Sequence, residues 1–276
     1  MSGENMLLGE CAILLNLERE RMRKYSGLES DIVIQDNSSR IEIFKDGLVR
    51  IYAGNQEELS RLFDVALISV CHAGGLAGYS LAMDRVTDLD TNEPPRMNYY
   101  GQGIGLSDRI DEAELRRTAN TLLRTNRESL PFLVRSIQKL PTADEFSILS
   151  ALTALELQLN RAVPDPNLQS FAKLEVLQYL STHYEVLTQP EMQRLKKLNT
   201  LRNKLAHGTW IGDELGKAIS NVLGGEPKDW LLGPGHTMSI DAARKLLEEV
   251  IDAIASLSAI EATHRLGTRD HTRASI

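Results

Sequence analysis

From Thr142 onward the chain repeats one pattern. Apolar residues recur at helical spacing over "TADEFSILSALTALELQLNRAV", "LQSFAKLEVLQYLSTHY", "PEMQRLKKLNTLRNKLAH" and "SIDAARKLLEEVIDAIASLSAIEATHRL". "PDPN", Pro190 and Gly208 punctuate the first three. A helix with one apolar stripe cannot bury it alone, so short connections force successive helices to pack antiparallel around a shared core. The pattern predicts a four-to-five-helix up-down bundle. Thr142 and Glu145 stand in capping-box spacing at its start.

The first 140 residues read differently. "DIVIQDN", "RIEIF" and "LVRIYAG" alternate apolar and polar residues around Asp46-Gly47, which predicts a small antiparallel hairpin or meander. Residues up to about Ser26, and the segment from Asn55 to Met83, read as helices, with Asn55 as a cap for the second. "DLDTNEPPRMNYYGQGIGLSD" reads as a loop because of its Pro-Pro and repeated Gly. A helical run follows, broken near Pro131. The expected chain is therefore mainly α: a mixed α+β region over 1–140, a helical bundle over 141–267 and a tail over 268–276.

Hydrophobic content of 42% and charged content of 25% in 276 residues are those of a soluble globular protein. Aromatics at 5% give no sign of a base-stacking platform. Cys11 and Cys71 form no CxxC pair and fit a reducing compartment. No stretch approaches the roughly 18 uncharged apolar residues of a membrane span. Glu4 and Glu10 interrupt any signal-peptide reading. A cytoplasmic protein without membrane attachment is expected.

The net charge of −7 argues against a surface that grips nucleic acid everywhere. Between Gln189 and Gly208, however, Arg194, Lys196, Lys197, Arg202 and Lys204 face one acid, Glu191. That segment is +4, which leaves −11 for the rest of the chain. An anionic partner would be drawn there.

Several site readings fail on spacing. "HAGGLAG" and "GQGIG" lack both the Walker Lys-Ser/Thr and the GxGxxG pattern between strand and helix, so they read as packing or loop glycines. The histidines show no HxxxH or HExxH, and no metal or other cofactor is expected. "GYS" is not a nucleophile elbow.

"LRNKLAHGTW" is different. On a helical wheel Leu195, Leu198, Leu201 and Leu205 form a core stripe, and Asn199, Asn203 and His207 form a second, polar one. Arg202 lies at the seam, its Cα about 140° around and roughly 7.5 Å along the axis from that of His207. Two readings fit the spacing. Arg202 and His207 are helix C-terminal cations favoured by the dipole before a Gly stop, or they are parts of a site, meeting within one chain or across a two-fold axis.

Arg202-Asn203-Lys204-Leu205-Ala206-His207, near the end of a third bundle helix, resembles the signature of the HEPN superfamily of helical-bundle domains. "TALEL", "SFAKLEVL", "LNTLRNKLAHG" and the closing helix extend the likeness over about residues 141–266. The resemblance implies a metal-independent endoribonuclease of a toxin–antitoxin, antiphage or RNA-processing kind. It also implies a homodimer that pairs two motifs in one cleft, and an antitoxin or defence partner protein. Some members carry Tyr two residues after the His as a modification site; Thr209 stands there. Others only bind nucleotides or proteins, which is the alternative function.

In the catalytic reading His207 transfers a proton, Arg202 neutralises the phosphorane and Asn203 orients a phosphate or the His ring. The products would carry 2′,3′-cyclic phosphate and 5′-hydroxyl ends. Lys196, Asn199, Lys204, Arg194 and Lys197 would hold the RNA, supported by Glu156 and Asn160 on the first bundle helix. Lys173 is a weaker candidate, and His183 and Tyr184 read as surface residues.

Overall fold

The computed structural model describes residues 6–17, 21–24, 28–74, 79–89, 99–102, 110–140, 145–233 and 237–271. The chain divides into two units, Met1–Leu123 and Arg124–Ile276. Among the described residues there are eight α-helices, and the antiparallel strands of the main sheet all belong to the first unit. The fold is mainly helical with an antiparallel N-terminal sheet, as the patterning predicts.

That sheet is larger than a hairpin or meander. It has seven strands, with β3 (Ile32–Asp36), β4 (Ser39–Ile43) and β5 (Leu48–Ala53) where alternation places them. β1 (Leu7–Leu17) and β2 (Arg21–Lys24) occupy the segment expected to be helical. The reason lies in burial. Cys11, Ala12 and Ile13 are consecutive and all buried, so this strand shows no alternation, and a short continuous apolar run reads equally as helix or strand. β1 is the middle of the sheet, in the order β3-β4-β5-β1-β6-β7. β5 pairs with its first half and β2 with its second, while β6 (Tyr79–Asp88) lines the opposite edge.

α1 (Gln56–Ala73) connects β5 to β6, so the chain crosses over β1 and the two flanking strands run parallel to each other. Asn55 caps α1 as expected, its Oδ1 accepting from the Glu58 amide at 2.9 Å. The helix ends at Gly74 rather than continuing to Met83. β7 (Tyr99–Gln102) pairs with β6 inside the stretch expected to be a loop. Gly75 to Gly78 and Gly103 to Gly105, the remainder of the two glycine clusters, lie outside the described residues.

α2 (Glu112–Arg124) is tied to α1 by the buried His72, whose Nδ1 lies 2.9 Å from Thr118 Oγ1 and 3.0 Å from Glu114 Oε1. Arg61 of α1 gives its donors to Glu58, Asp36 and the Leu123 carbonyl.

The second unit begins with a 3₁₀ turn at Arg127–Ser129 and α3 (Leu130–Lys139), with Pro131 in its first turn. α3 packs on α4 (Glu145–Ala162), so the change of character at residue 140 falls inside this unit. Thr142 lies outside the described residues. α5 (Ser170–Tyr184), α6 (Gln189–Ala206) and α8 (Ile240–His271) all pack against α4.

Within the less regular segment expected with Trp210 and Trp230, the structure has a helix, α7 (Gly212–Leu223), followed by a 3₁₀ turn at Pro227–Trp230. Gly212, at φ +78°, adopts a conformation that L side chains rarely take, and it disguises the helix start. A two-strand ribbon, β8 (Leu231–Leu232) with β9 (Thr237–Met238), leads into α8. α8 runs through His271, into the segment expected to be a tail; residues 272–276 lie outside the described part. No helix among the described residues is long and apolar enough to cross a membrane.

Candidate functional site

α6 starts with a full capping box. The Glu191 amide donates to Thr188 Oγ1 at 3.4 Å, and the Thr188 amide donates to Glu191 Oε2 at 2.8 Å. Burial alone would push the Glu191 carboxyl up, but hydrogen bonds from Thr188 and Ser256, with Arg194 nearby, hold it below its usual range. Met192, Leu195, Leu198, Leu201 and Leu205 are buried, as the wheel requires. That rotation leaves Arg202 half-buried beside α4.

Arg202 is fixed there rather than free. Its Nη2 donates to Glu156 Oε2 at 2.6 Å, and its Nη1 to Asn203 Oδ1 at 3.2 Å. Glu156 Oε1 accepts from Ser170 Oγ of α5 at 2.7 Å. One turn further along α4, Asn160 Oδ1 accepts from Lys173 Nζ at 2.8 Å. Glu156 and Asn160 therefore anchor one cation each, and Lys173 is only 4% exposed.

These residues line a cleft of about 690 Å³. Arg202 and Asn203 form one wall, Ser170 and Phe171 another, and the "PDPN" loop a third. Pro164 and Pro166 restrict that loop, and Asp165 Oδ1 accepts from the Asn167 amide at 2.9 Å.

His207 is placed elsewhere. It is the C-cap of α6, exposed, and not part of the cleft lining. Its imidazole has no hydrogen-bond partner among the described residues. The helix closes behind it as a Schellman motif: Gly208 at φ +91° donates to the Leu205 carbonyl at 3.1 Å, and Thr209 to that of Lys204 at 3.0 Å. A single chain thus joins Arg202 and Asn203 with Glu156, but does not bring His207 into the same cleft.

The basic residues of α6 point to different neighbours. Arg194 Nε meets Glu249 Oε2 of α8 at 2.6 Å, and Lys204 lies 3.9 Å from Glu214 of α7. Lys196 donates to Gln178 of α5 at 3.0 Å, Lys197 is half-buried, and Asn199 is half-buried near Arg202. The +4 of the sequence segment is therefore largely compensated by acids from other helices. His183 and Tyr184 are exposed, with the His183 ring stacked on Tyr179 at 4.2 Å between centroids.

Lys173, a weaker candidate from the sequence, lines this cleft, as do Ser170 and Phe171, which no motif marks. Lys173 precedes Leu174 and lies four positions before Leu177, both buried. A Lys on the core side of a helix needs a buried partner, and that was the available signal.

No family model, no curated protein and no solved structure matches this chain.

Proposed function

We propose that the second unit binds RNA and cleaves it without a metal ion, as a homodimer in which two copies supply one active site. The carrying observation is the fixed Arg202. Glu156 and Asn203 hold its guanidinium at the wall of an open cleft, with donors beyond those two bonds left for a phosphate.

RNA brings its own nucleophile. The 2′-hydroxyl attacks phosphorus and gives up its proton to water, the bond to the 5′-oxygen breaks, and the departing oxygen takes a proton. His207 transfers that proton and Arg202 balances the charge gathering on the phosphorane. The products are a 2′,3′-cyclic phosphate and a 5′-hydroxyl. Because His207 stands outside the cleft that Arg202 lines, a second copy is needed to bring the two together, as the resemblance implies. A toxin or defence role, with a partner protein that restrains it, extends the same reading.

A second reading, a nucleotide-binding module without catalysis, is favoured by one fact: the cleft is complete within one chain and does not include His207.

The test is RNA cleavage in excess chelator by the full chain, by Arg202→Ala and by His207→Ala. The catalytic reading expects each substitution to lower the rate by about 100-fold or more. Unchanged cleavage in both variants would sink it. Nucleotide binding by a wild-type protein that cleaves no RNA would select the second reading.

A further inference from the structure

We propose that the cleft takes a single nucleotide of the bound strand, its base stacked on the ring of Phe171 and its phosphate held by Arg202. The inference rests on the RNA reading above and adds a residue which that reading does not use.

Phe171 is 65% exposed in the first turn of α5 and has no aromatic partner among the described residues. Its neighbours are tied down. Ser170 is bonded to Glu156, and Lys173 is buried against Asn160. The ring therefore projects from an anchored helical turn, and with only two side-chain torsions it costs little entropy to order on binding. It lines the same cleft as Arg202. At about 690 Å³ the cleft is within the range of roughly 300–1,000 Å³ that small-molecule sites occupy.

The charges choose among nucleotides. Arg202 and Lys173 are balanced by Glu156 and Asp165, all four lining the cleft. A site of zero formal charge suits one phosphodiester and an uncharged heterocycle better than a polyphosphate tail. Sparse aromatics across the chain argue against a multi-base platform, but one base needs only one ring. Stacking alone reads no sequence, since every base has a π-face.

Binding of a fluorescent, uncleavable 2′-O-methyl oligonucleotide to the full-length chain, followed by anisotropy, tests this. Phe171→Ala is expected to weaken binding by about tenfold or more, the usual loss for a stacked base. Phe171→Trp is expected to restore wild-type affinity. Wild-type protein should also prefer adenosine monophosphate over ribose 5-phosphate, and Phe171→Ala should lose that preference.

Wild-type affinity in Phe171→Ala overturns the stacking role and leaves the RNA reading standing. So does a loss of affinity that accompanies dissociation of the oligomer in sedimentation, because the ring would then be a contact between copies. Failure of the wild-type protein to bind the oligonucleotide overturns both.

Discussion

Asp64 sits on α1 between Phe63 and Val65, both of which are buried. Arg61, one turn earlier, is engaged by Glu58, Asp36 and the Leu123 carbonyl. Burial pushes the Asp64 carboxyl up from 3.8 to about 6. The native state therefore binds this proton more tightly than the unfolded chain, and ionising Asp64 above pH 6 costs stability.

At about 1.36 kcal/mol per decade of acidity, the difference between 3.8 and 6 amounts to about 3 kcal/mol at neutral pH and above. The penalty is absent below the unfolded value, grows through the window between the two, and reaches roughly half of its full size by pH 5. Asp64→Asn removes the titration but keeps the shape. It is expected to stabilise the first unit by up to about 3 kcal/mol at pH 7.5, and by about half as much at pH 5.

Urea unfolding followed by far-UV circular dichroism at both pH values measures this. Trp210 and Trp230, the only tryptophans, both belong to the second unit, so tryptophan fluorescence serves as an internal reference. A variant no more stable than wild type at pH 7.5, or a gain that does not shrink on acidification, would refute the reasoning.

Two further expectations concern packing. A Cβ at position 216 would stand 2.8 Å from the Pro227 carbonyl oxygen and 2.9 Å from Leu231 Cδ1, so Gly216→Ala is expected to destabilise the second unit by about 1–3 kcal/mol despite the higher helix propensity of Ala. Tryptophan fluorescence in urea reads this, and an unchanged midpoint would show that the α7 contact is soft. Full burial pushes the Cys71 thiol up to about 12, and Cys11 is buried as well. Neither is expected to react with a thiol reagent at pH 8 until urea unfolds the first unit, whereas rapid labelling of the native protein would contradict the burial.

The parts legible in the sequence were those where one face meets the core. β3, β4 and β5 alternate because one face of each is buried, and the leucines of α6 mark their stripe for the same reason. β1 was illegible because burial on both faces erases the period that separates strand from helix. β6 was hidden because the apolar helix before it runs into "HAGGLAG", whose glycines read as packing or loop residues and not as a helix end. α7 was hidden by glycines that weaken a helix locally and are tolerated because Gly216 must pack against Pro227.

At the site, Arg202, Asn203 and His207 stood out by residue type, but their arrangement did not. Glu156 is 46 positions from Arg202, and a wheel for one helix cannot say which neighbour its seam will face. The same limit applies to the charge. A count along α6 gives +4, while the packing of α7 and α8 supplies Glu214 and Glu249 as partners.

The crossover of α1 over β1 bears on how the first unit assembles. β1 leaves the ribosome well before β5 and β6, the strands that pair with most of its length. The β3–β4–β5 meander can close from local contacts as soon as it is made, but β1 has no partner on its far edge until β6 follows α1. Loop-closure entropy delays such long-range pairing, so the meander is the natural nucleus and the first-made strand is among the last to be locked on both edges. Among the described strands, β1 alone joins β3–β5 to β6–β7. Until it is seated, the chain holds two half-sheets, each with an open edge available for pairing with another molecule.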